Sequence, residues 1–103
     1  MTAPTLTVGL AVVTEMARLA AFEAPGVLRI GRGGPTWRSW GRRSIVARRV
    51  EDAIEVKVWI VARPGQRLVP LAREVRGAIA ATVERSLGLQ VASVDLVIDG
   101  VGG

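Results

Sequence analysis

Residues 54–62, IEVKVWIVA, decide how this chain is read. Ile54, Val56, Val58 and Ile60 alternate with Glu55, Lys57, Trp59 and Val61. A period of two is the spacing of a strand with one face on a core and the other turned away. Arg63-Pro64-Gly65-Gln66 closes the strand with turn residues. Beyond it, Leu68, Ala72, Val75, Ile79, Val83 and Leu87 recur at helical spacing, which predicts a helix over 66–87. Gly88 suits the left-handed position that ends such a helix, and Gly77 inside it suggests a close helix approach. The period returns to two in LQVASVDLVID (89–99), with Val94, Leu96 and Ile98 on one side and Ser93, Asp95, Val97 and Asp99 on the other. Strand, helix and strand together have the length of a parallel crossover unit.

Working back from Ile54, Glu51-Asp52-Ala53 reads as a turn and SIVARRV (44–50) as the partner strand of a hairpin. Residues 31–44 are a loop rich in glycine, and VLRI (27–30) is a short strand before it. Residues 9–24, GLAVVTEMARLAAFEA, carry Val12, Val13, Met16, Ala17, Leu19 and Ala20 at helical spacing, with Glu15, Arg18 and Glu23 on a narrow polar side. They predict a largely buried helix ended by Pro25-Gly26. LTV (6–8) is a strand or an extended lead-in. The expected fold is α+β, in two layers, with two helices packed on one face of a three- to four-stranded mixed sheet. A length of 103 residues makes this one domain, 1–103, with residues 31–44 as its basic loop.

The side-chain inventory narrows function. The chain has no cysteine, histidine or tyrosine, which removes disulfides, thiolate and imidazole metal sites, and serine or cysteine triads. The close acid groupings, Glu51-Asp52 and Asp95/Asp99, fall on a turn and a strand face where solvation accounts for them. No enzyme, cofactor or small-molecule substrate is expected. No apolar run approaches the roughly 20 residues of a membrane span. The N-terminus lacks the basic start of a signal peptide, so a cytoplasmic location is expected.

Charge is concentrated. Between Ala24 and Val50 lie seven arginines (Arg29, Arg32, Arg38, Arg42, Arg43, Arg48 and Arg49) and no acid, whereas the rest of the chain holds seven basic and nine acidic residues. The net +5 is therefore a property of one segment, which favours phosphate, anionic lipid or an acidic protein face. Trp37 and Trp40 stand among these arginines in PTWRSWGRRS (35–44). Three readings stay open for them: rings capping a core edge, a membrane-interface anchor, or base stacking beside phosphate contacts. Gly31-Arg32-Gly33-Gly34 matches the GxxG of KH domains, but it follows a strand rather than joining two helices. Trp59, on the polar face of the middle strand, reads as a self-association anchor or as a ring covered by the loop.

The ordered set of pieces resembles one family. LTVGLAVVTEMARLAAFEAPGV, a glycine-containing loop, IEVKVWIVARPG, LVPLAREVRGAIAATVERSLGL and GLQVASVDLVIDGV follow one another as in the alkaline shock proteins of the bacterial envelope stress response. Departures are the weakly capped Gly9-Leu10-Ala11 start, Trp59 where the family commonly has tyrosine, and a basic rather than acidic loop. The resemblance implies a non-catalytic cytoplasmic protein near the membrane, self-assembling and held by an integral-membrane anchoring partner, with a role in envelope homeostasis and stress. Within that frame Trp37, Arg38, Trp40, Arg42 and Arg43 are expected to meet anionic lipid or an acidic partner, and Trp59 to support a homo-oligomer. A small basic nucleic-acid-binding module is the alternative.

Overall fold

A computed structural model describes residues 9–31, 34–35 and 42–102. Helix α1 spans Leu10–Glu23, followed by β1 (Val27–Ile30), β2 (Gly34–Pro35), β3 (Arg42–Arg43), β4 (Ile45–Val50), β5 (Ala53–Ala62), α2 (Leu68–Leu87) and β6 (Gln90–Val101). The α+β architecture expected from the periodicities is present, and the sheet is mixed. The lead-in 6–8 lies outside the described residues.

β5 is the centre of the sheet. Along one side β6 runs parallel to it from Ala53↔Gln90 to Ala62↔Val101, so α2 is the crossover between two parallel neighbours. Along the other side β4 pairs antiparallel with residues 53–58 and β1 antiparallel with residues 60–62. β1 and β4 thus lie end to end on the same edge of β5, as two halves of one strand that residues 31–44 interrupt. The paired β2 and β3 form a short ribbon within that interruption, where the sequence suggested only loop.

Both helices cover the same face. α1 packs over β1 and β4, α2 over β6, and the two pack on each other. Ile54, Val56, Val58, Ile60 and Ala62 of β5 meet them and are essentially sealed from solvent, as the alternation requires. From α2 come Leu71, Val75, Ile79 and Val83 at strict four-residue spacing. The expected stripe named Leu68 and Ala72 in place of Leu71, and Leu68 is exposed. α1 contributes Val13, Ala17, Ala20 and Ala21, and those alanines let the helix sit close to its neighbours. It is less buried than its composition suggested, because Val12, Leu19 and Phe22 face solvent.

Neither helix has a side-chain N-cap: Gly9 and Arg67 occupy those positions. Pro70 falls within the first turn of α2, where the missing N–H costs no ladder bond. Gly88 ends α2 in the left-handed region (φ 66°), its N–H donating to the Glu84 carbonyl at 3.0 Å, as expected. Gly77 does not mark a close approach: it is exposed, and a Cβ there would meet nothing within 4 Å. Gly77→Ala should therefore stabilise the domain by about 1 kcal/mol, the helix-propensity difference alone. Urea unfolding monitored by circular dichroism checks this through a raised midpoint at unchanged slope.

Candidate functional site

The interruption between β1 and β4 is held by backbone chemistry centred on Trp59. The Gly31 N–H donates to the Trp59 carbonyl at 2.8 Å, and the Trp59 N–H donates to the Ser44 carbonyl at 2.9 Å. The Ser44 hydroxyl donates to the Gly31 carbonyl and closes the root of the loop. Gly31 sits in a tight space rather than at a positive φ. A Cβ there would lie 2.9 Å from the Asp99 carboxylate and 3.3 Å from the Trp59 backbone carbon. One residue of β5 thus fixes both ends of the insertion.

From that root the chain leaves the sheet along the ribbon. Arg43 pairs with Gly34 and Arg42 with Pro35. The structure places these two arginines on one ribbon strand. Trp37, Arg38 and Trp40 lie outside the described residues. Gly31 ends the first half-strand and Gly34 opens the ribbon, so the GxxG joins two strands and lacks the helix–loop–helix setting of a KH clamp. Two arginines of the basic segment already have partners. Arg48 forks onto Glu55, with Nη2–Oε1 at 2.8 Å and Nε–Oε1 at 3.1 Å, directly across the β4–β5 register. Arg49 is engaged as well. The field of the basic segment is therefore weaker at its C-terminal end than the residue count implied.

The helix-free face of the sheet carries Val46 and Arg48 from β4, Glu55, Lys57 and Trp59 from β5, and Asp95 from β6. These residues line a shallow groove of about 350 Å³. Lys57 Nζ stands 5.1 Å from the centre of the Trp59 ring, a cation–π contact, and Lys57 faces Asp95 across the β5–β6 register. Two cations beside two carboxylates make a balanced surface, not an anion trap. Trp59, expected on the polar face, is on that face but only 9% exposed. Its ring is already covered within one chain.

Sequence reasoning missed Ser44 and Gly31 as a root, since neither has a periodic signature. It also missed the Arg48–Glu55 pair, which needs the hairpin register to be known. Among the described residues, no three acidic side chains come together as a metal site, and no helix is long and apolar enough to cross a membrane.

Solved structures share this fold at low identity. The C-terminal domain of MamM, residues 215–293 of that protein, is 20% identical, with a TM-score of 0.58 over 89% of this chain and 99% of that one. A copper form of a substituted MamM C-terminal domain gives the same identity and TM-score, covering 98% of its own length. No curated protein matches the sequence. The model of the alkaline shock protein family, described by a cell envelope-related function, matches residues 2–102.

Proposed function

This chain belongs to the alkaline shock protein family, of cell envelope-related function, and on that premise we propose that it is a non-catalytic, self-associating interaction protein of the cytoplasmic membrane face. In this reading it serves envelope homeostasis under stress, together with an integral-membrane anchoring protein. The observation that carries the reading is the interrupted edge strand. A packed domain with no buried polar or charged side chain among its described residues interrupts one edge strand with a basic, tryptophan-bearing segment whose ends are joined by Ser44 and Gly31.

Trp37, Arg38, Trp40, Arg42 and Arg43 are the contact residues of this reading. Indoles settle at the headgroup layer and guanidiniums pair with anionic lipid phosphates. An acidic face on the anchoring protein would use the same arginines. Trp59 supports self-association from beneath: it secures the loop root on one side and stands in register with Val97 of β6 on the other. Nucleic acid is the second use of a basic loop, and no feature of the described residues favours it.

Vesicle sedimentation tests the reading. The protein should pellet with phosphatidylserine-containing vesicles and not with phosphatidylcholine alone, and binding should weaken with salt. Each cation near an anionic surface contributes about 1 kcal/mol, so Arg42→Glu with Arg43→Glu should weaken binding by roughly 30-fold or more. Equal binding to neutral vesicles, or no loss in the double variant, would remove lipid from the proposal. Salt-steep binding to a labelled oligonucleotide instead would move it to the nucleic-acid alternative.

A further inference from the structure

The two edges of the sheet are built differently. The β1/β4 edge is broken by the insertion and carries Arg29, Arg48 and Arg49, all exposed. Interruption and charge are the ordinary guards against strand addition. β6 is the reverse: twelve residues, paired with β5 on one side, with no strand on the other among the described residues. It contains no lysine, arginine or proline.

Core coverage is also incomplete along β6. On β5 the helix-facing Ile54, Val56, Val58 and Ile60 are sealed. Leu89, Val91, Val94, Leu96 and Ile98, on β6 or on the turn leading into it, pack against that core yet remain partly open, and Leu87 at the end of α2 joins them. An apolar margin beside an unguarded edge is a surface shaped for another strand.

The geometry points to a second copy of this chain as the occupant, joined through antiparallel pairing of the two β6 strands with Leu96 on the two-fold axis. A strand pairs antiparallel with itself only about a residue, since paired residues must share a face. Register irregularities between Val91 and Ser93 and between Ile98 and Gly100 confine the regular ladder to Ser93–Ile98. Centring on Asp95 sets that carboxylate against itself, and centring on Val97 sets it against Asp99 of the second copy. Like charges directly opposite are destabilising. Centring on Leu96 avoids both: Asp95 faces the second copy's Val97, Val94 faces its Ile98, and Leu96 meets Leu96. The apolar margins of both copies then cover each other, and the β1/β4 edges lie on the far sides.

This inference rests on the self-association part of the proposal above and not on its membrane part. Because the chain has no cysteine, a single introduced one reports the register. Cα atoms directly opposite in an antiparallel pair lie about 4.5–5.5 Å apart, within disulfide range. On the full chain, Leu96→Cys should give a covalent dimer under mild oxidation, and Ser93→Cys should give at least tenfold less. Charge gives a second readout that tolerates a weakened core. Val97→Asp should raise the dimer dissociation constant in sedimentation by tenfold or more, Val97→Lys should not, and adding Asp95→Lys to Val97→Asp should restore pairing. A monomer at every concentration overturns both this interface and self-association. A dimer that cross-links equally at 93 and 96, or responds alike to Asp and Lys at 97, overturns the β6 interface and leaves self-association standing.

Discussion

Trp59→Ala is expected to lower stability by about 3 kcal/mol or more, the usual cost of removing a large buried ring. The alanine retains the backbone bonds to Gly31 and Ser44 but loses the mostly buried ring that lies beneath Lys57. For a domain of this length each kcal/mol is worth roughly 4–8 °C, so the melting midpoint should fall by about 12 °C or more. Trp59→Phe, which keeps an aromatic body, should lose roughly a third as much. Thermal unfolding by circular dichroism reads both. If Trp59→Ala melted within a degree or two of the parent, the ring would not be a stabilising part of the fold. Sedimentation of the same variant addresses the second role. With Val97 losing its neighbour on β5, the β6 edge should be less ordered and the dimer weaker.

The second large effect belongs to Ile79, fully buried on α2. Ile79→Ala should cost about 2–5 kcal/mol, because the sealed valines and isoleucines around it leave little room to collapse into the space. With total stabilities of about 5–15 kcal/mol, that is a large fraction of the whole. Leu19→Ala is the internal control. The leucine is larger in apolar surface than most core residues here, yet it is 55% exposed on α1. Its loss should change stability by no more than about 0.5 kcal/mol. Equilibrium urea unfolding of the two variants should separate them clearly, and equal midpoints would contradict the assignment of faces.

Much of the fold was legible in the sequence, for reasons that differ between elements. The alternation from Ile54 to Ile60 and the return to period two after Gly88 are direct prints of strand geometry, and both were correct to within a few residues. Helix faces were harder. In α1 nearly every position is apolar, so periodicity could not separate Val13 and Ala17, which are buried, from Val12 and Leu19, which are not. Tertiary packing makes that choice, and it favoured alanines where helices approach closely. The root was not legible at all. Gly31 and Ser44 act through backbone atoms and one hydroxyl across thirteen positions, a relation that exists only after β1 and β4 align on β5. Trp59 was placed on the right face, but its burial depends on what covers that face. For the basic segment, composition located the charge and the structure showed which arginines were already spoken for.

The split strand has a meaning for how this domain changes over time. β1 and β4 take their register from β5, and the root is closed by bonds among Gly31, Ser44 and Trp59, so the sheet's register is set without reference to the length of the segment between them. Doubling the length of a flexible insertion costs only about 0.6 kcal/mol of closure entropy. The root is therefore a socket, expected to accept changes of length and sequence in the segment it closes at little cost to the scaffold.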